Sequence, residues 1–371
     1  MKLLFFHNSL PEYRIGLFEE LSRQCQVKFI ITNPNVYEEK YGFCTSKEQK
    51  FDCLFLTEGK QGFKDLQKIL EKIGNYDAVE LPPLDTLREV RMGKRIVTAA
   101  KKHHVKIGFF WEKWEAPKDK QPIERKMKNL ILRIVPKQVY RNADVIHAGS
   151  ISAKKYFISN GIPNNKIVVI PDVSTVPNCE YVDLRTKYHI PDNKLVLLYF
   201  GRVMQQKGLD YLIRAVAELN RTDNVYYLLI AGEGEFKDAC IRLSEQLGLK
   251  NIKFCGAVEP KQRKNYFEQC DVFCFPGTNI LGVVDVWGLT VNEAIQFNKP
   301  VVATEAVGSA IDLIYNGVNG YRCKVEDVSD LVHGIKVASR LDQKKLIETD
   351  QRINERYNFK EMAKEIIETF V

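Results

Sequence analysis

No apolar run in this chain of 371 residues comes near the roughly 20 residues that a helix needs to cross a bilayer; Leu195 to Phe200 is among the longest. No membrane span is expected. The apolar start Leu3 to Phe6 gives way at once to turn residues and shows no small-residue cleavage site, so it reads as a first buried strand rather than a signal peptide. Cysteines number nine, an odd and scattered set, and Cys270 and Cys274 have no second Cys or His pair to complete a zinc site. Neither a disulfide framework nor a metal centre is indicated, and a reducing cytosol is the expected compartment. The sequence also lacks any Asp-x-Asp pair, the arrangement that often bridges magnesium to a diphosphate. With 45% hydrophobic and 27% charged residues, the chain is neither disordered nor fibrous.

Charge is present, but unevenly. The net charge of +8 resolves into +9 for residues 1–180 and −1 for residues 181–371. From Arg88 to Arg141 there are sixteen basic and five acidic residues, a density suited to an anionic surface such as phospholipid, a lipid diphosphate or nucleic acid. Within it Lys118 to Arg141 interleaves Arg125, Lys126, Lys128 and Arg133 with Ile123, Met127, Leu130 and Ile131. Such a stretch suits either a membrane surface or a helix packed on a sheet with a solvated basic face.

Short β-branched or aromatic runs alternate with helical patterns, which predicts βαβ units around parallel sheets. Expected strands in the first half include Lys2 to His7, Val27 to Thr32, Asp77 to Leu81, Lys106 to Trp111 and Asp144 to Ala148. The stretch Pro171 to Asp192 loses the alternation, and a second series follows from Leu195 to Phe200 through Gly320 to Cys323. The expected organisation is an N-terminal domain over 1–172, a linker over 173–193, a second domain over 194–355 and a C-terminal helix over 356–371, for which return to the first domain is one option. The fold class is α/β: two doubly wound, Rossmann-like domains facing across a cleft at the carboxyl ends of their strands.

Three motifs in the second half carry chemistry. In Gly201-Arg202-Val203-Met204-Gln205-Gln206-Lys207-Gly208, Gly201 permits a sharp turn after a strand, and Arg202 and Lys207 are placed to neutralise a diphosphate. A solvated basic loop is the plainer reading. Next, Ala231-Gly232-Glu233-Gly234 lacks the third glycine of a dinucleotide loop and sets acids where a pyrophosphate would lie; Gly232 and Gly234 mark either a tight turn or a donor contact. Finally, Asp285-Val286-Trp287-Gly288-Leu289-Thr290 opens a helix whose first N–H groups suit a phosphate, with Glu293 about one turn in and able to accept from vicinal sugar hydroxyls.

The order of these motifs, together with Phe254-Cys255-Gly256, the acid-x7-Glu-Ala spacing and Pro300-Val301-Val302-Ala303, resembles the retaining glycosyltransferases of GT-B fold known as glycosyltransferase group 1, or family four. The resemblance covers about 150 residues from Leu195 and continues more weakly upstream. It implies that Arg202 and Lys207 bind the donor diphosphate, Glu293 the nucleotide ribose, Asp285 the donor sugar and Gly288, Leu289 and Thr290 the phosphates. Val258 would lie near the base. Asp285 stands where the family usually has a glutamate.

The first half departs further from that family. His7-Asn8-Ser9-Leu10-Pro11-Glu12-Tyr13-Arg14 replaces a glycine-rich loop, and its Pro-x-Tyr-Arg element resembles a subset acting on bacterial surface polysaccharides. Phe110-Trp111-Glu112-Lys113-Trp114 stands where others carry a histidine. Tyr13, Arg14, Trp111 and Glu112 are therefore the candidates for holding the acceptor, with a sugar stacked on the Trp111 indole or that indole simply in the core. The expected reaction moves a hexosyl unit from a UDP or GDP sugar to a hydroxyl of a saccharide, the expected acceptor being a lipid-linked oligosaccharide of cell-surface polysaccharide synthesis, with retention, without metal and without cofactor. A sugar-nucleotide epimerase and a nucleic-acid-binding protein are the competing readings; no recognition helix or stacking motif supports the second.

Overall fold

Runs such as Leu3–Phe6 and Val196–Tyr199 have no polar face to offer water, and both are buried throughout, as strands covered on two sides must be. The computed structural model describes residues 1–33, 50–57, 59–112, 123 and 134–371. Among these, the residues up to Val173 together with Tyr357–Val371 form one unit, and Ser174–Arg356 form a second.

In the first unit, β1 (Lys2–His7), β2 (Gln26–Ile31), β3 (Cys53–Phe55), β4 (Ala78–Leu81), β5 (Lys106–Trp111), β6 (Val145–Ala148) and β7 (Ile167–Val169) make a parallel sheet ordered β3-β2-β1-β4-β5-β6-β7. Strand order reverses between β1 and β4, the switch point at which such sheets place ligands. The helix Leu87–Lys102 starts at a capping box in which the Thr86 hydroxyl accepts from Glu89 N–H and the Glu89 carboxylate accepts from Thr86 N–H. At the chain's end, the helix Phe359–Glu368 packs on the helix Glu12–Gln24.

The second unit repeats the plan. Its strands β8 (Leu195–Phe200), β9 (Tyr226–Ala231), β10 (Ile252–Gly256), β11 (Val272–Phe275), β12 (Val301–Thr304) and β13 (Gly320–Cys323) are parallel in the order β10-β9-β8-β11-β12-β13, with the reversal between β8 and β11. The sites argued below sit at the carboxyl ends of these strands.

The proline-containing stretch expected as a linker over 173–193 groups with the second unit from Ser174 onward and includes a short helix, Leu184–Tyr188. Asn265 and Gln269, one turn apart on the helix Arg263–Gln269, accept from Val182 N–H and Leu184 N–H at 3.1 and 2.9 Å, and the hydroxyls of Tyr188 and Tyr266 meet at 2.6 Å. The helix Gly308–Leu313 of this unit opens at a glycine where a Cβ would lie 2.1 Å from the Val286 carbonyl oxygen. Only a glycine lets these two backbones pass.

Candidate active site

The carboxyl edge of the second sheet is built by backbone. Gly201 N–H donates to Ala231 O at 2.9 Å, Gly232 N–H to Gly256 O at 2.8 Å and Val203 N–H to Glu233 O at 2.8 Å, joining the ends of β8, β9 and β10. A Cβ on Gly232 would lie 1.8 Å from Gly201 O, and one on Gly234 would lie 2.2 Å from Val203 O. These two glycines are thus set by close packing of loop on loop. Arg202 follows with an exposed side chain, while its carbonyl accepts from the Tyr199 hydroxyl at 2.6 Å.

Lys207 ends a single 3-10 turn, and its ammonium is paired with the Asp285 carboxylate. Both side chains are largely withdrawn from water, at 18% and 16% exposure, so the pair is firmer than a surface contact. The ammonium also lies 5.0 Å from the centre of the Phe275 ring, at the end of β11. Asp285 is fixed by its own backbone, donating to Ala306 O and accepting from Gly308 N–H, each at 3.0 Å. Three residues on, Gly288 adopts φ 87°, a left-handed value, and a Cβ there would come within 2.9 Å of Phe275 and 2.8 Å of Val307. Lys207 and the start of the helix Leu289–Gln296 therefore meet over one aromatic floor. The first N–H groups of that helix, including those of Leu289 and Thr290, have no acceptor within it, so anion binding is available to them beside a half-buried cation.

Glu293 lies one turn into the same helix and is only 1% exposed. Its Oε1 accepts from the Ser174 hydroxyl at 2.7 Å, and its Oε2 accepts from the Arg263 guanidinium. Burial pushes the carboxyl up from its ordinary range, and Arg263 followed by the Ser174 hydrogen bond pulls it part of the way back. Arg263 was not foreseen: in Lys261-Gln262-Arg263-Lys264 it looks like one of several solvated cations. It is distinguished by lying 5.3 Å over the Phe200 ring at the end of β8. Val258 is half-buried in the loop after β10.

The first unit carries a different cluster. Arg14, expected to hold the acceptor, is itself buried and donates to Glu112 at 2.5 Å and Asp172 at 2.9 Å. Its guanidinium is 5.4 Å from the Tyr13 ring and 4.8 Å from the Phe110 ring. Glu112 keeps 29% of its side chain exposed, and burial, then the neighbouring Asp172, drive its carboxyl well above the usual range against the pull of Arg14. Trp111 is 5% exposed, packed by Phe109, Tyr140 and Phe157, with its indole N–H donating to Asp85 at 3.1 Å. Its face is taken up by the core, so the expected sugar stacking on it is withdrawn. Tyr13 and Glu112 remain partly open to solvent.

Lys113, Trp114 and most of the basic stretch Lys118 to Arg141 lie outside the described residues; residues 134–140 are helical. Among the described residues there is no helix long and apolar enough to cross a membrane, and no cluster of three or more His, Cys, Asp or Glu that suits a metal ion.

Comparison with known proteins places this geometry. The family model described as glycosyl transferases group 1 matches residues 182–358. An uncharacterized glycosyltransferase of Methanocaldococcus jannaschii is 28% identical over 195 residues, 52% of this chain and 48% of that protein. The chain spans about half the length of the curated relatives it matches. Among solved structures, HepE of Anabaena in complex with UDP superposes with a TM-score of 0.73 at 17% identity, covering 100% of this chain and 99% of that one. The apo form of WaaB, a lipopolysaccharide outer core galactosyltransferase, gives a TM-score of 0.70 at 16% identity with 100% and 99% coverage. The fold, two Rossmann-like units, is that of GT-B glycosyltransferases.

Proposed function

We propose that this chain, whose residues 182–358 match the group 1 glycosyltransferase model, is a glycosyltransferase that moves a hexosyl unit from a UDP or GDP sugar to a saccharide hydroxyl, with retention of anomeric configuration. The observation that carries this reading is the Lys207–Asp285 pair set at the Gly288 turn that opens the helix Leu289–Gln296. Departure of a nucleoside diphosphate concentrates negative charge on its phosphates. A half-buried ammonium, helix N–H groups and the nearby Arg202 supply fixed positive potential there, and such preorganised charge acts most strongly on the transition state. Asp285, held by its backbone beside Lys207, accepts from the donor sugar's hydroxyls, and Glu293 from those of the ribose.

On this reading the chemistry proceeds without metal, because cationic side chains take the role of a divalent ion, and no cofactor is needed. The acceptor is a lipid-linked oligosaccharide of cell-surface polysaccharide synthesis, held through Tyr13 and Glu112. The enzyme works in the cytoplasm at an anionic membrane surface, to which the basic first half is drawn. Structural likeness to a lipopolysaccharide galactosyltransferase supports the polysaccharide setting, and a UDP-bound neighbour supports the donor class.

The test is nucleotide release from a panel of UDP and GDP sugars with saccharide acceptors, with and without EDTA. Lys207→Ala is expected to lower kcat about 100-fold to 1000-fold, the scale for losing one preorganised donor. An unchanged kcat in that variant, or interconversion of the nucleotide sugar with no acceptor present, would sink the reading.

A further inference from the structure

Resting on the nucleotide site proposed above, we infer that Arg263 is a positioning residue whose task is to keep the buried Glu293 carboxylate charged and aimed, so that it can accept hydrogen bonds from a nucleotide's ribose. The inference is carried by where the two groups lie. Glu293 has 1% of its side chain exposed and Arg263 has 25%, and they are joined directly across 30 residues of sequence. A carboxylate offers about four lone-pair positions. Ser174 occupies one on Oε1 and Arg263 one on Oε2, which leaves each oxygen able to accept from one of two vicinal hydroxyls.

The guanidinium is held from below. It lies over Phe200, whose ring stacks on Phe267 at 5.3 Å and meets Tyr266 edge-on at 5.9 Å. A planar cation on an aromatic floor cannot swing away as a lysine can, so its fork stays directed at Glu293. Its Nε is buried with no hydrogen-bond partner among the described residues. An unmet buried donor of this kind is costly and is retained where a site requires the geometry.

Why a cation is needed follows from burial. An isolated carboxylate in such surroundings lowers its energy by taking up a proton, and then it is a donor with fewer acceptor positions. Arg263 is the one charged group acting appreciably on Glu293 among the described residues. The elements packed on its helix bring Cys274 from β11, Asp312 from the helix Gly308–Leu313 and the charged residues of the helix Gln343–Arg356, including the buried Asp350; none of these contributes.

The experiment measures the affinity of the full chain for UDP, for GDP and for their 2′-deoxy forms as a function of pH, from the acid to the alkaline side of neutrality. In wild type the ribonucleotide should bind more tightly than its 2′-deoxy form, by a ratio that is flat with pH. In Arg263→Leu, affinity at the acid end should fall about tenfold or more, the preference for the ribonucleotide should vanish, and both should return as pH rises. Arg263→Lys should restore a flat profile at intermediate affinity, and Glu293→Gln should be weak and flat throughout. Thermal melting shows which variants remain folded, and the lysine variant keeps the test alive if the leucine variant does not. An Arg263→Leu profile as flat as that of wild type, at any affinity, overturns the role of Arg263 while leaving the nucleotide site standing. Failure of wild type to bind either nucleotide overturns both.

Discussion

The two units solve the problem of buried charge differently. In the second, each acid at the carboxyl edge has its own cation: Asp285 has Lys207, and Glu293 has Arg263. In the first, two acids, Glu112 and Asp172, share the single guanidinium of Arg14. One cation cannot neutralise two carboxylates in a low-dielectric setting, and burial, then the neighbouring Asp172, push the Glu112 carboxyl well above the usual carboxylate range. In the second unit each of these two acids thus has a cation of its own, whereas the two-to-one cluster holds a carboxyl driven upward and partly open to solvent.

The sharpest way to break this contrast is to remove the shared cation. Arg14→Leu leaves the buried Asp172 and the partly exposed Glu112 facing each other without a cation, and breaking such a cluster typically costs up to about 3–5 kcal/mol. In Arg263→Leu a lone acid is left, which can take up a proton, so the loss of stability should be clearly smaller. Urea and thermal unfolding of the full chain compare the two. Equal losses would show that acid-to-cation count does not govern either cluster.

A second prediction uses pH. His7, at the end of β1, is buried with its Nδ1–H donating to Ser9 O at 2.6 Å, and its pKa is lowered from 6.5 to about 3, chiefly by burial and then by the Arg14 charge. The folded chain thus holds His7 neutral where the unfolded chain would protonate it. Below 6.5 the unfolded state binds the extra proton, so the stability contributed by neutral His7 is intact above that pH and drains away as pH falls toward about 3. The stability gap between wild type and His7→Gln should shift in the glutamine variant's favour across this window, by at most about 1.4 kcal/mol per pH unit. Parallel curves would mean that the first unit's cluster does not extend to His7.

How far the sequence reveals all this depends on the range of the interaction. Strands such as Lys106–Trp111 and Leu195–Phe200 are legible because an apolar run declares its own burial. The turn glycines and the helix starting at Leu289 are legible for the same local reason. Partnerships are not: Arg14 meets Glu112 and Asp172 at separations of 98 and 158 residues, and Arg263 sits in a run of similar cations. The polar pair Asn265 and Gln269 on one helical face was the signal that 174–193 had somewhere to dock, but amides at that spacing are as common on solvated faces. Trp111 illustrates the reverse case, in which an aromatic that could have served a sugar completes a core of Phe109, Tyr140 and Phe157.

The finest adjustment tests the second unit alone. Ser174 contributes one hydrogen bond to Glu293, from an uncharged hydroxyl, and it stands two residues from Asp172, which serves the other cluster. Removing it in Ser174→Ala leaves Arg263 in place, so Glu293 should stay charged but be less firmly aimed. A hydrogen bond to a charged group contributes about 1.5–3 kcal/mol, so the loss in nucleotide affinity is expected to be about tenfold, at the low end of that range. Because the cation remains, the pH profile should stay as flat as that of wild type, in contrast to Arg263→Leu. A pH-dependent Ser174→Ala profile would show that the hydroxyl, rather than the guanidinium, sets the carboxyl's charge, and the distinction between one-to-one and shared pairing would lose its basis.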